Sequence, residues 1–411
     1  MKKKIKIAIV ATILIAIMIS GGIGLACYLM LPGNEIEDGV PGEDEDEEII
    51  DGEPEETTLP EGKIFFVSQG ETSTGETFNI LSVINADGTG KTYLDAGNLW
   101  GFTPSPDGTK IAYIIYSEGL YVINSDGTGK TVLDEATGYF FDPQWSPDGT
   151  KIAYQDSSNS LCIINPDGTG KTVLDEGYFP QWSPDGTKIA YVIQKENESE
   201  SVVYVINSDG TGKTVLDEGG YPQWSPDGTK IVYLIRKENE SVIVDLCVIN
   251  PDGTGKTVLA EGHFAQWSPD GTKILYSSSV LIGESYHYIY LCIINIDGTN
   301  KIELAEAEVA VGEIFFYYYS WSPDGTKILY WSCVYGVSEG ETHNYYFYII
   351  NPDGTNKIEL DKGKFVSWSS DGQWVSYVYR DSFGDNYVCI INADGTGKTV
   401  LTQGWYAEWL L

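Results

Sequence analysis

Along this 411-residue chain the phrase DGTGKT recurs, from 87–92 to 394–399, and glycines ahead of a lysine and a threonine are the material of a phosphate-cradling loop. The spacing rejects that chemistry. A phosphate loop needs a glycine five residues before the glycine of GKT; at Gly170 that place belongs to Asn165, inside a strand-like run and not ahead of a helix. NPDG imitates part of a calcium loop, but its first ligand place falls on Ile163 and its bidentate acid on Leu174. The three histidines, His263, His287 and His343, have no Cys-His or His-Glu partner at ligand spacing, so a zinc site is unsupported. No GxSxG elbow occurs and no α/β-hydrolase segment follows. The expectation is a chain without catalytic residues and without a cofactor. A divalent cation would suit its acidity but has no motif to hold it.

Rings at uneven places are what the sequence does offer. Tyr286, His287, Tyr288, Phe315, Phe316, Tyr335, His343, Tyr345 and Tyr346 lie within or beside three long segments, 277–290, 305–319 and 331–347. Rigid, amphipathic rings displayed on loops suit a protein or sugar ligand. The competing reading is that they cover one another as local core, since strands of this kind are aromatic-rich anyway. Asn197 and Asn239 head NES sequons and would carry sugars in a host that glycosylates exported proteins.

These residues must be positioned by a repeat. From Lys63 onward two phrases alternate: PQWSPDGTKIAY, intact at 143–154 and 180–191, and VINxDGTGKTVL with its relatives, whose aspartates are Asp87, Asp126, Asp167, Asp209, Asp252, Asp297, Asp353 and Asp394. Each phrase reads as a β-hairpin. In SPDGT and NPDGT the proline presets φ, aspartate follows, and glycine takes the left-handed place of a type I turn with a bulge. The flanking runs KIAYVI and LCIIN are β-branched and aromatic, as strands buried between neighbouring sheets should be. Two hairpins make four strands, named A (PQW), B (KIAY), C (YVIN) and D (KTVL). Strands B, C and D each occur eight times, beginning with KIFFV at 63–67. Strand A occurs seven times before the C-terminus, and WYAEW at 405–409 supplies the eighth. A last strand that completes the first sheet closes a ring and removes its edges. The fold class expected is therefore all-β, an eight-bladed β-propeller of four-stranded antiparallel blades, preceded by one N-terminal transmembrane helix.

The phrase WSPDGTKIAY resembles the repeat of the TolB-like (WD-like) β-propeller family, which also occurs in the propeller domains of prolyl-oligopeptidase-type proteins. Trp145, Trp182, Trp224, Trp267, Trp321, Trp368 and Trp409 match the family's repeat tryptophan, and Pro104 replaces it once. The resemblance covers residues 63 to 411 and implies the fold. TolB itself is six-bladed and carries a separate α/β domain with no counterpart here, so its partner is not carried over. The peptidase activity of the other relatives has no residues to support it.

In such a ring the AB and CD turns emerge on one face and the BC and DA connections on the other. Every AB and CD turn here is the same tight turn, whereas BC and DA segments vary in length and type, most of all in blades 6 and 7. Variable segments on a rigid scaffold are the usual place for recognition.

The N-terminus decides placement. MKKKIK (1–6) precedes an uncharged run at 7–31 that exceeds the roughly 20 residues a bilayer requires. The lysines should stay cytoplasmic, which puts everything after Pro32 outside. A cleaved signal ending in SGGIGLA and a lipid-modified Cys27 are the rivals, the latter weakened by Gly24 where an aliphatic residue is wanted. All three export the propeller. Residues 32–62 hold fourteen acids, no base and no aromatic, a self-repelling extended linker. The formal net charge of -35 disfavours nucleic acid, which is approached with lysine and arginine.

Of six cysteines, Cys162, Cys247, Cys292 and Cys389 hold one place in the repeat, just before IIN or VIN. Equivalent places in different blades are about 10 Å apart, beyond disulfide reach. These four and Cys333 read as small buried apolar residues. The function expected is a monomeric, membrane-anchored binding or scaffold module on the outer side of a prokaryotic cell membrane, engaging a protein or polysaccharide of the cell envelope. The alternatives are an envelope carbohydrate-active lyase or hydrolase using carboxylates and tyrosines around the central channel, and a structural spacer or coat component.

Overall fold

The computed structural model describes residues 60–410, apart from 72, 74, 76, 136–140, 196–199, 237–243, 283–285, 311–317 and 335–343. The basic stub at 1–6, the apolar run at 7–31 and nearly all of the 32–62 linker, with Cys27, lie outside the described residues, as do both sequons at Asn197 and Asn239. Among the described residues no helix is long and apolar enough to cross a membrane.

Eight four-stranded antiparallel sheets are arranged as blades. Blade 1 spans Lys63–Gly97, blade 2 Leu99–Glu135, blade 3 Phe141–Glu176, blade 4 Tyr178–Glu218, blade 5 Gly220–Glu261, blade 6 His263–Ala310, blade 7 Tyr319–Lys362 and blade 8 Lys364–Gln403. The C-terminal strand Tyr406–Leu410 pairs antiparallel with Lys63–Val67, with Trp409 opposite Ile64, and so supplies strand A of blade 1. The closing strand starts one residue later than the sequence suggests. Strand A of one blade touches strand A of the next from blade 2 to blade 5 and between blades 8 and 1, which makes A the inner wall and D the outer rim.

The turns take the form that their residues dictate. In SPDGT at 146–150, Gly149 sits at φ 69° and its N–H donates to the Ser146 carbonyl at 2.8 Å, while Asp148 accepts from the Ser146 hydroxyl at 2.6 Å and the Thr150 N–H at 3.0 Å. Only a residue without Cβ adopts that φ cheaply. In the CD turn of the same blade Asp167 accepts from the Thr169 N–H and hydroxyl. The hydroxyls of Ser146 and of Thr169 are the leading reasons that Asp148 and Asp167, respectively, lie below the usual carboxylate range. Lys151 then donates to Asn165 at 2.5 Å and ties the two turns of the blade together. Hairpin chemistry thus accounts for the residues that imitate nucleotide and calcium loops.

The core lies between blades. One buried apolar cluster occupies each of the eight junctions; between blades 2 and 3, for example, Ala112, Ile114 and Leu120 meet Trp145, Tyr154 and Cys162. Cys162, Cys247, Cys292 and Cys389 are free and buried, as their place in the repeat suggests. Burial pushes the Cys162 thiol up to about 12 and the others to about 11. The side chain of Cys333 is not among those described.

Candidate functional site: the blade 6 and 7 rim and the inner wall

Five blade junctions carry one polar latch. The tyrosine of KIAY donates its hydroxyl to an aspartate on strand D of the preceding blade, and the lysine of its own blade's GK turn pairs with the same carboxylate. The sets are Tyr113, Asp95 and Lys130; Tyr154, Asp134 and Lys171; Tyr191, Asp175 and Lys213; Tyr233, Asp217 and Lys256; and Tyr377, Asp361 and Lys398. The lysine of the phosphate-loop lookalike is therefore a structural clasp.

The other three junctions break the pattern in two ways. At the ring closure Phe66 replaces the tyrosine and Thr402 the aspartate, so no polar group is stranded, and Lys91 donates to Thr402 at 3.1 Å. At the 5/6 and 6/7 junctions alanines, Ala260 and Ala305, replace the aspartate while Tyr276 and Tyr330 stay. Both hydroxyls are buried without a hydrogen bond.

The inner wall divides one junction further on. Trp145, Trp182, Trp224 and Trp267 donate their indole N–H to the carbonyls of Thr103, Gln144, Gln181 and Gln223, each on the preceding blade, at 3.0–3.1 Å. From blade 7 onward the chain of bonds stops: the indoles of Trp321, Trp368 and Trp409 are buried without partners, and the Trp321 backbone N–H instead takes the Gln266 side chain at 3.2 Å. Among the described residues, every buried side-chain polar atom without a partner belongs to blade 6, 7, 8 or 1 or to Tyr318 at the start of blade 7.

Strand A also carries strain. Phe179, Tyr221, Phe264 and Phe365 sit at φ 56°, 57°, 56° and 53°, each at a register shift near the start of its strand. A bulky residue there costs about 1–3 kcal/mol and persists only where its surroundings over-determine it. Contacts with the next blade do this: Phe179 stacks on Tyr221 with centroids 5.6 Å apart, Phe365 lies 5.6 Å from Tyr406, and the Phe264 carbonyl accepts the Tyr319 hydroxyl.

Glu408, next to Trp409 on strand A of blade 1, is 9% exposed, and Tyr406 donates to its Oε2 at 2.8 Å. Burial pushes its carboxyl up to about 7, the Tyr406 bond pulling the other way, and among the described residues no cationic side chain acts on it. Tyr318 is raised first by burial and then by the Glu408 charge, with Ser320 opposing. Strand alternation gave no signal of the buried acid, because the burial of Glu408 exists only once the ring is closed.

The ring-bearing segments differ from expectation in one respect. In blade 6 strand B runs Lys273–Ile282, strand C Tyr286–Asn295 and strand D Ile302–Ala310, with Ile282 opposite Tyr286 and Tyr286 opposite Ala310. What reads as loop at 277–290 and at the start of 305–319 is thus a three-stranded extension of the blade. Its run of valine, isoleucine and tyrosine is strand-forming material and could have signalled this. Tyr286, His287 and Tyr288 belong to strand C there, their side chains lying outside those described. Tyr345 and Tyr346 belong to strand C of blade 7, Asn344–Ile350. Tyr345 meets Trp331 edge-on at 5.1 Å and Lys364 Nζ lies 4.2 Å from its ring centre, so part of this ring is spent on local packing. Phe315, Phe316, Tyr335 and His343 lie outside the described residues. Among the described residues no group of three His, Cys, Asp or Glu side chains could hold a metal ion.

A family model described as the TolB beta propeller domain matches residues 56–314, more than half of the chain. No curated protein matches it. Among solved structures, an oligogalacturonate lyase in complex with manganese is 15% identical with a TM-score of 0.53, the likeness covering 81% of this chain and 98% of the lyase. The oligogalacturonate lyase of Vibrio parahaemolyticus is 14% identical with a TM-score of 0.52, covering 80% and 98%. A eukaryotic initiation factor is 12% identical with a TM-score of 0.50, covering 86% and 99%. At such identities the likeness is one of fold.

Proposed function

Because this chain belongs to the TolB β-propeller domain family, we propose that it is a non-enzymatic binding or scaffold module that engages a protein or polysaccharide of the cell envelope through the BC/DA face of blades 6 to 8. The observation that carries this reading is the extension of blade 6. Its B, C and D strands have 10, 10 and 9 residues where those of blade 4 have 7, 7 and 5. A paired protrusion on one sector of a rigid ring offers a ligand a pre-ordered surface, which lowers the ordering cost of binding. In the same proposal residues 7–31 anchor the chain with residues 1–6 in the cytoplasm, and the acidic 32–62 linker holds the propeller away from the outer surface of the membrane.

The hydrolase form of the carbohydrate-active alternative meets a chemical objection. Glycoside hydrolysis ordinarily uses a pair of carboxyl groups. Among the strand A side chains that are described, Glu408 is the one acid. The likeness to oligogalacturonate lyases supplies a fold and no residues.

The test is capture from envelope extract and on a glycan array by the full chain, native and with Tyr286, Tyr288, Tyr345 and Tyr346 replaced by alanine. Capture by the native chain that disappears in the folded variant supports the reading. Equal capture by both sinks it, and no capture by either favours a structural spacer.

A further inference from the structure

We infer that Phe383, at the tip of the turn between strands B and C of blade 8, is an anchor that enters an apolar pocket with a basic rim on a partner protein. The inference rests on the reading that the BC/DA face of blades 6 to 8 binds; it names the class of partner and adds a residue outside the rings singled out from the sequence.

Phe383 is 91% exposed, the highest value among the large hydrophobic side chains described. The repeat explains the others that stand out: Tyr93, Val132, Val173, Val215, Val258 and Val400 all hold the second place of a strand D, on the outer rim. Phe383 belongs to no such series. Nor is its turn loose. Strand B of blade 8 ends at Arg380 and strand C starts at Asn386. Between them Asp381 Oδ1 accepts the N–H groups of Phe383 at 2.9 Å and of Asp385 at 2.8 Å, and the Asp381 N–H donates to the Asp385 carbonyl at 2.9 Å. Gly384 takes φ 91°, and Arg380 Nε donates to its carbonyl at 3.1 Å.

Blade 3 holds the same turn without the ring. There Asp156 Oδ1 accepts from the N–H of Ser158 at 2.9 Å and of Ser160 at 3.0 Å, and the Asp156 N–H donates to the Ser160 carbonyl at 2.9 Å. Asn159 takes the left-handed place at φ 63°. Ser158 thus stands where Phe383 stands in blade 8, and the bonds of the turn form with either residue, so the fold has no use for the ring. Apolar surface held in water on an already fixed turn is favourable to bury and costs little further ordering when a partner covers it.

Shape and charge select the partner. A ring that stands clear of the surface has no second wall to enclose a sugar, so the concavity must come from the partner. Asp381 and Asp385 flank the ring, and the chain carries a net charge of -35. Carboxylates this near the tip oppose entry into a bilayer and repel anionic lipid or polysaccharide, whereas basic side chains around a protein pocket complement them. An aromatic anchor in a pocket, ringed by polar contacts, is how the energy of a protein interface concentrates.

The probe is the full chain with p-benzoylphenylalanine in place of Phe383, irradiated in envelope extract of the source organism. The same photoprobe in place of Ser158 is the control for the turn. A protein adduct is expected from position 383 and none from position 158, with a yield that falls in about 0.5 M salt, which screens the rim. Excess native chain should abolish the adduct. Phe383→Ser installs the blade 3 residue and should leave the unfolding temperature unchanged, yet compete about thirtyfold less well, the loss of one anchor side chain. A lipid or glycan adduct, no adduct at position 383, equal adducts at both positions, or Phe383→Ser competing as well as the native chain overturns the inference, and a yield indifferent to salt overturns the basic rim. The chain with Tyr286, Tyr288, Tyr345 and Tyr346 replaced by alanine is the third competitor. Full competition by it and weak competition by Phe383→Ser fails the tyrosines and keeps Phe383, and the reverse pattern fails Phe383 and keeps the tyrosines.

Discussion

Restoring the missing aspartate at the 5/6 junction should stabilise the ring. Tyr276 is fully buried with an unpartnered hydroxyl, Ala260 stands on strand D where all five intact junctions place an aspartate, and Lys301 holds the lysine position. Ala260→Asp rebuilds the set seen at Tyr233, Asp217 and Lys256. A buried hydroxyl left unpaired costs about 1–3 kcal/mol, and a hydrogen bond to a carboxylate contributes about 1.5–3 kcal/mol. Two effects offset this gain. The intact aspartates keep side chains only 15–24% exposed and so are partly desolvated, and Lys301 must leave Glu303, now 3.3 Å away. The lysine contributes little, because its counterparts are 37–42% exposed and such pairs are screened. A net gain of about 1–2 kcal/mol remains, or a rise in unfolding temperature of about 1–3 °C for a chain of this size. The assay is calorimetric unfolding of the native chain, Ala260→Asp, Tyr276→Phe and the double variant. The gain should vanish in the Tyr276→Phe background, which isolates the pair from any general effect of the new charge. An unfolding temperature that falls or stays level, or a gain that survives without the tyrosine hydroxyl, would refute the latch as an energetic unit.

Two further expectations follow from the inner wall. Glu408 has its carboxyl raised to about 7 from an ordinary 4.5, so the stability it contributes is full below about pH 4.5 and is lost as pH rises through about 7. The turn aspartates are depressed and act in the opposite sense, so the measurement is the difference between Glu408→Gln and the native chain: it should move by about 3 kcal/mol in favour of the variant between pH 4.5 and pH 8, and a flat difference would refute the buried, uncompensated carboxyl. Trp182→Phe and Trp368→Phe remove similar packing, but only the former loses a hydrogen bond, to the Gln144 carbonyl. Trp182→Phe should be the more destabilising by about 1–2 kcal/mol in denaturant titration, and equal losses would refute the division of the wall.

Much of the fold was legible because its determinants are local. Proline, aspartate and glycine specify the turns within five residues, and the strand at the C-terminus could be counted against the seven before it. The latches were not legible, since an aspartate such as Asp134 and its tyrosine, Tyr154, belong to different blades and meet only after the ring forms. The left-handed places of Phe179, Tyr221, Phe264 and Phe365 carry no local signal, because phenylalanine and tyrosine are not the residues that favour them. The aromatic segments of blade 6 read as loop because they exceed the repeat in length, yet their strand-forming residues extend the sheet.

The asymmetry of the ring is therefore recorded in its polar groups before it is visible in its outline. Blades 2 to 5 keep the repeat's latches and blades 3 to 6 its indole bonds, while the stranded hydroxyls and indoles gather from blade 6 round to blade 1. A repeat that merely drifts would lose donors and acceptors together, as the closure did in exchanging tyrosine for Phe66 and aspartate for Thr402. Losing the acceptor while keeping the donor, as at Ala260 with Tyr276 and Ala305 with Tyr330, costs stability at each site without removing the group that bears the cost. Stability given up in this sector, beside the most extended blade and the one buried acid of the described inner wall, is what a scaffold would be expected to spend on recognition, and it is in that half of the ring that ligands should be sought.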